Sequence, residues 1–208
     1  MDALTLVIGS KNLSSWSLRA WLALKRAGAD FAEHVIPLDR SDTRAALDAR
    51  TPSGKVPVLR HGETIIWESL AICEYVAELF PEARLWPEDA AARATARAVS
   101  AEMHAGFVAL RTYRPLNMRD RRPAEGFAPG VTEDVARVLA VWAHCRDRFG
   151  GAPFLFGDFT LADAMFAPVV SRFRTYGVAL EGADRDYADA VWELPEMQEW
   201  AAAAAAEP

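Results

Sequence analysis

Three short stretches in the amino-terminal part of the chain carry side chains whose types and spacing suit chemistry on an anion. The first is Lys11-Asn12-Leu13-Ser14-Ser15-Trp16-Ser17, where three hydroxyls crowd the start of an expected helix. A helix leaves its first N–H groups unpartnered and carries a partial positive charge there, so hydroxyls at that end help to hold a negative atom. The second is Thr51-Pro52-Ser53-Gly54-Lys55-Val56-Pro57, with a proline just before an expected strand. Proline lacks an N–H, and a cis bond here would turn the backbone of Val56 towards a ligand. In the third, Trp67-Glu68-Ser69, Ser69 caps a helix whose amino end attracts a carboxylate, while Glu68 accepts from a cation. Taken singly, each is also an ordinary cap or turn.

The elements that hold these loops follow from periodicity. Residues 4–9 form an apolar run that predicts a buried strand, and 15–28 sets Trp16, Arg19, Ala20, Ala23, Leu24 and Ala27 at helical spacings before Gly28. Alternation over 31–37 predicts a second strand, and Ser41 opens a short helix ending near Arg50. Two strands over 56–60 and 64–67 flank the turn His61-Gly62-Glu63, and a helix over 69–79 stops before Pro81. The order βαβ-α-ββα predicts an α/β domain over 1–80, followed by a linker over 81–87. Beyond it, alanine-rich stretches at helical spacing predict helices over 88–114, 132–149, 160–172 and 196–206, hence an all-α second domain over 88–208. Pro/Gly segments at 122–130 and 150–157 separate them, and Thr160-Leu161-Ala162-Asp163 is a capping box with Asp in the usual Glu position.

Composition narrows the function classes. The 208 residues are 51% hydrophobic and 25% charged, which fits a globular chain, and a chain of this mass buries roughly 70% of its surface on folding. No apolar run approaches the roughly 20 residues that span a bilayer, so a membrane is not an expected partner. Lys+Arg total 23 against Asp+Glu 29, a net charge of -6 and the wrong sign for binding nucleic acid through its phosphates. Met1-Asp2-Ala3 begins no secretory pattern, so a cytoplasmic location is expected. Cys73 and Cys145 form no C-x-x-C pair, the four histidines are scattered, and no metal site is expected. Phosphate-binding glycine loops, the G-x-S-x-G elbow and H-E-x-x-H are all missing.

Together the three loops resemble the glutathione transferase superfamily, over nearly the whole chain and in the same order. Asn12-Leu13-Ser14-Ser15-Trp16-Ser17-Leu18-Arg19 looks like the family's catalytic loop, and Ser53-Gly54-Lys55-Val56-Pro57 like its cis-proline segment. Glu68-Ser69-Leu70-Ala71-Ile72 resembles its E-S-x-A-I glutathione signature, and Thr160-Leu161-Ala162-Asp163 its T-x-A-D box. The resemblance, to bacterial zeta- or beta-like members with a serine-type loop, implies a thioredoxin-like first domain, a helical second domain, a homodimer, and glutathione as co-substrate. By that analogy Val56 pairs its backbone with the cysteinyl unit beside Pro57. Glu68 and Ser69 hold the γ-glutamyl ammonium and carboxylate, and Lys55 reaches a carboxylate.

The resemblance further implies that Ser14, or in second place Ser15, supports the glutathione thiolate, with Ser17 beside them. A thiol near its ordinary pKa of about 8.5 needs roughly 2.7 kcal/mol to drop by about 2 units. One hydrogen bond to a charged acceptor contributes about 1.5–3 kcal/mol and a helix amino end about 0.3–1 kcal/mol, so a serine at that position is sufficient in scale. The thiolate then attacks a small electrophile held against the helical domain. Glu102-Met103-His104 resembles the beta-class helix whose histidine faces glutathione, Trp16 and Phe107 are candidates for an apolar substrate pocket, and Arg111 heads an arginine-rich stretch able to attract an acidic substrate. Two other functions stay open. One is a glutathione-dependent cis–trans isomerase like maleylacetoacetate isomerase, although the arginine of that class falls on Thr175. The other is a non-catalytic module that binds glutathione or another ligand.

Overall fold

The computed structural model describes residues 2–123, 128–150 and 153–208. Its first part is a four-stranded mixed sheet ordered β2-β1-β3-β4, from β1 (Leu4–Gly9), β2 (Phe31–Ile36), β3 (Val58–His61) and β4 (Thr64–Trp67). β1 runs parallel to β2 and antiparallel to β3, and β4 pairs antiparallel with β3 as the edge strand. Leu6 and Ile8 of β1 point into the main core, while Val7 points to the other face, where it packs with Ile36 and Val58 beneath Ala46 and Leu47 of α2 (Thr43–Arg50). This alternation requires the sheet to be covered on both sides. Helices α1 (Ser15–Arg26) and α3 (Ser69–Leu79) form the cover on the main-core side. The order is therefore the βαβ-α-ββα of a thioredoxin-like unit followed by helices.

Those helices are α4 (Ala90–Ala105), α5 (Val108–Tyr113), α6 (Val131–Phe149), α7 (Leu161–Tyr176), α8 (Gly182–Trp192) and α9 (Pro195–Ala206). α7 is the central one, buried at every position except Arg174 and packed against α1 and α4. It starts on the expected capping box: Asp163 accepts from the N–H of Thr160 at 2.8 Å, the Thr160 hydroxyl at 3.0 Å and the N–H of Leu155 at 3.1 Å.

The single helix expected over 88–114 is instead two. Gly106 adopts an extended backbone in which an added Cβ would meet the carbonyl oxygen of Glu102 at 2.9 Å, and Phe107 follows with φ 60°. The break lets Arg111 fold back over the end of α4, donating to the carbonyls of Gly106, Met103 and His104. Other boundaries also move. β3 begins at Val58, because Pro57 has no N–H to offer the ladder. α7 runs on to Tyr176 and stops at Gly177 with φ 68°, and α8 was not expected at all. Residues 124–127 and 151–152 of the two Pro/Gly segments lie outside the described residues.

Candidate functional site

The loop between β1 and α1 is built around hydroxyls. Ser14 is the N-cap of α1: its Oγ accepts the N–H of Ser17 at 3.3 Å and donates to Ser17 Oγ at 2.7 Å. Ser17 Oγ also accepts the N–H of Gly9 at 3.1 Å, which ties the end of β1 to the first turn of the helix. Ser15 faces the other way, towards α7, where its Oγ accepts from Arg172 Nη2 at 3.3 Å. Both Ser14 and Ser15 are buried against these partners.

Just upstream, Lys11 and Asn12 are fastened to the far end of the chain. Glu207, after α9, accepts both of their N–H groups on its carboxylate, and Trp200 Nε1 donates to the carbonyl of Lys11 at 2.8 Å. Lys11 Nζ lies 2.7 Å from Glu33 and over the rings of Trp21 and Trp200. Asn12 Oδ1 accepts the N–H groups of Met118 and Arg119. Arg119 in turn donates to the carbonyls of Ala204 and Glu207.

Beside this loop lies a cavity of about 220 Å³ lined by Trp16, Ser53, Lys55, Val56, Pro57, Glu68 and Ser69. All three expected loops thus reach one place. The Val56–Pro57 peptide bond is cis. Glu68 has φ 69° and ψ 121°, a backbone that L residues rarely adopt, and it lies immediately before the amino end of α3. Ser69 is buried, and its Oγ has no hydrogen-bond partner among the described residues. An unsatisfied buried hydroxyl at a helix amino end is what a carboxylate ligand would complete.

Next to these loops sit His104 of α4 and three arginines, Arg19 of α1, Arg111 of α5 and Arg172 of α7. The His104 ring meets Trp16 edge-on at 5.1 Å, and its Nε2 lies 3.4 Å from Glu68 Oε2. Burial first, then the charge of Arg19, hold its pKa below the ordinary 6.5, while Glu68 pulls the opposite way. The shift favours the neutral imidazole beside Glu68.

The indole of Trp16 has the guanidinium of Arg19 at 4.6 Å and that of Arg111 also at 4.6 Å. Arg19 is fully buried and donates through Nε to the carbonyl of Met165 at 3.1 Å. Arg172 donates to the carbonyls of Arg114 and Pro168 as well as to Ser15. Burial pushes the Arg172 pKa down to about 9, with Arg111 adding to the shift.

Of the residues expected from sequence, Trp16, Lys55, Val56, Pro57, Glu68 and Ser69 share the cavity, His104 adjoins it, and Ser14, Ser15 and Ser17 form the adjacent helix start. Phe107 lies in the core, away from this cavity. Arg111 reaches the site by stacking on Trp16, whereas Arg119 and Arg122 engage Glu207 and Asp120. The sequence reading assigned no role to Arg19, Arg172 or Glu207. Arg19 carried a signal, as the last residue of the loop motif, but nothing local marks the other two. Among the described residues no group of three or more His, Cys, Asp or Glu is placed to hold a metal ion, and no helix is long and apolar enough to cross a membrane.

Comparison with known proteins supports this fold. Residues 13–79 match the glutathione S-transferase N-terminal domain and 90–203 the glutathione S-transferase C-terminal domain. A Caenorhabditis elegans protein described as a probable maleylacetoacetate isomerase is 29% identical over 75% of this chain and 72% of its own length. Protein IN2-1 of Zea mays is 29% identical over 80% of this chain and 64% of its own length. Among solved structures, a Burkholderia glutathione transferase homologue with bound glutathione superposes with a TM-score of 0.72, at 24% identity, over 98% of both chains. A glutathione S-transferase from the Antarctic clam Laternula elliptica has the same TM-score, 0.72, at 21% identity over 96% of this chain and 92% of its own. The chain belongs to the glutathione S-transferase family.

Proposed function

We propose that this protein is a glutathione transferase that stabilises the glutathione thiolate for attack on a small electrophile. The observation that carries the reading is the meeting of Lys55, Val56, Pro57, Glu68 and Ser69 around one cavity beside the hydroxyl-rich start of α1. In this reading Ser69 and the first N–H groups of α3 take the γ-glutamyl carboxylate, Glu68 takes the ammonium, and the backbone of Val56 pairs with the cysteinyl unit. Lys55 reaches the glycyl carboxylate. Ser14, with Ser15 behind it, supplies a hydroxyl to the sulfur, and the partial charge at the amino end of α1 adds to it. Trp16 lines the side on which the electrophile enters. The protein acts as a homodimer in the cytoplasm, with a glutathione-binding domain over 1–80 and a substrate-pocket domain over 88–208.

The C. elegans relative favours a second reading, a glutathione-dependent cis–trans isomerase of the zeta type. Thr175, where that class carries an arginine, donates here to the carbonyls of Asn117 and Ser171 and is buried. Arg172 lies one turn before it, next to Ser15.

Titrating the protein with glutathione by calorimetry, then assaying a chloronitrobenzene and maleylacetone in parallel, tests these readings. Saturable binding with conjugation of the nitrobenzene supports the transferase. Glutathione-dependent turnover of maleylacetone alone supports the isomerase, and binding without turnover of either leaves a carrier. Failure to bind glutathione overturns both catalytic readings and leaves only a module for another ligand.

A further inference from the structure

Arg19 on α1, Arg111 on α5 and Arg172 on α7 come together behind Trp16 and Ser15, and among the described residues none of them meets a carboxylate. Their hydrogen bonds go to the backbone carbonyls of Met165, Gly106, Met103, His104, Arg114 and Pro168 and to Ser15 Oγ. Both Nη atoms of Arg19 and Nη1 of Arg111 are buried without a hydrogen-bond partner among the described residues. Buried charges are normally paired, because leaving water costs an isolated ion far more than a neutral group. Three like charges held together with donors left over therefore mark a place that favours an anion nearby. From this, and resting on the glutathione reading above, we infer that Arg19, Arg111 and Arg172 act as one fixed cationic cluster that stabilises the sulfur anion of glutathione in the adjoining cavity, with Arg172 acting through Ser15 as a positioning residue.

Geometry supports both parts. Trp16 lines the cavity and carries Arg19 and Arg111 on its ring, so one indole links two of the guanidinium groups to the cavity wall. A low-dielectric spacer transmits such a field better than water does. By occupying Ser15 Oγ as an acceptor, Arg172 leaves the serine's own proton to point elsewhere. Among the described residues, the other charged or titratable groups around the cavity and the cluster include Lys55, Glu68 and His104, Cys73 of α3 beside Arg19, Tyr176 beside Arg172 and, behind Arg111, Asp134 of α6. Asp134 is committed to the N–H of Leu110 at 2.8 Å. Burial first lowers the His104 pKa, and the charges of Arg19 and Arg111 add to that although Glu68 faces it. A sulfur in the same cavity would feel the same sign of potential, which for an acid favours the anion.

The test uses the full chain with Arg111→Gln, Arg111→Lys and Arg172→Met. Thiolate absorbance of bound glutathione is followed against pH, and the His104 ring is titrated by NMR without glutathione. Arg111→Gln is expected to raise both the bound thiol pKa and the His104 pKa by at least half a unit, about a threefold change in each equilibrium. Arg111→Lys, which keeps the charge, is expected to recover most of the shift. Affinity for S-methylglutathione, whose sulfur cannot ionise, should change less than twofold. Unmoved titrations in Arg111→Gln overturn the inference, and an equal loss of affinity for S-methylglutathione does so by showing a purely structural role. Arg172→Met should raise the bound thiol pKa as well; if it does not fold, Arg111→Gln decides alone. If the wild-type protein binds no glutathione, the functional reading falls, and the His104 titration still reports on the cluster.

Discussion

The side-chain carboxylate of Glu207 accepts the backbone N–H of Lys11 at 2.5 Å. Its other oxygen takes the N–H of Asn12 at 3.0 Å, so the end of the helical region closes the turn that leads into Ser14. Hydrogen bonds to a charged acceptor contribute about 1.5–3 kcal/mol when buried, and the Glu207 side chain is only 20% exposed. Glu207→Ala is therefore expected to lower stability by about 1–2 kcal/mol in urea denaturation. It should also raise the bound thiol pKa, because the loop holding Ser14 loses two of its anchors. Glu207→Gln, which keeps one strong acceptor, should fall between the two. A Glu207→Ala protein with unchanged stability would show that Trp200 and Arg119 hold the turn without it.

A buried carboxyl and a half-buried imidazole should give the stability curve opposing slopes. Burial raises Asp163 from 3.8 to about 6, so the folded protein keeps a proton that the unfolded chain releases near pH 4. Stability from this group is present below that window and is lost as pH rises towards 6, by an amount on the order of 3 kcal/mol. His104 is held below its ordinary 6.5, so the unfolded chain takes the proton first, and its contribution is lost as pH falls through about 6.5. Denaturant midpoints between pH 4.5 and 8, compared with those of His104→Gln and Asp163→Asn, separate the two. The difference between wild type and Asp163→Asn should move against the wild type as pH rises. The difference between wild type and His104→Gln should move against the wild type on acidification. Parallel curves for either pair would reject the corresponding assignment.

What the sequence made legible was local. Ser14 is a cap because a serine hydroxyl competes well for first-turn N–H groups, and Thr160 with Asp163 makes a capping box for the same reason. Glu68 and Ser69 adjoin a helix start in sequence and in space, so their motif survives without tertiary information. The arginine cluster was not legible, because its members sit on three helices whose approach is decided by packing around α7. The break at Gly106 and Phe107 escaped for a related reason: the stretch is helical in propensity, and the groups that hold the interruption, Arg111 on the end of α4 and Asp134 on the N–H of Leu110, meet it only in the fold. Helix α8 hid in Gly182-Ala183-Asp184-Arg185-Asp186, a polar opening whose apolar positions Tyr187, Ala188 and Val191 are few.

The two serines differ in what they have left to give. Ser14 accepts from the N–H of Ser17 and donates to its hydroxyl, whereas Ser15 accepts from Arg172. Ser14→Ala should lower stability by about 1 kcal/mol through loss of the cap. If Ser14 turns its proton from Ser17 to the sulfur, the same change should raise the bound thiol pKa by about 1 unit, within the range of one hydrogen bond to a charged acceptor. Ser15→Ala should then move that pKa by less than half as much. Thiolate absorbance against pH decides between them, and a larger shift for Ser15→Ala would reverse the order.

Glu68 offers a separation of stability from binding. Its φ of 69° is strained for a residue with a Cβ, by about 1–3 kcal/mol, while glycine adopts it freely at an entropic cost of about 0.5–1 kcal/mol. Glu68→Gly is expected to raise the stability of the free protein by about 0.5–2 kcal/mol. It should also weaken glutathione at least tenfold, because the carboxylate assigned to the γ-glutamyl ammonium is gone, and each tenfold corresponds to about 1.4 kcal/mol. Glu68→Ala keeps the Cβ and hence the strain, so it should lose the same affinity without the gain in stability. Denaturation and glutathione titration of the two variants side by side test both statements. Equal stability in the two would mean that the strain is relieved elsewhere in the turn, and unchanged affinity in both would remove Glu68 from the glutathione site.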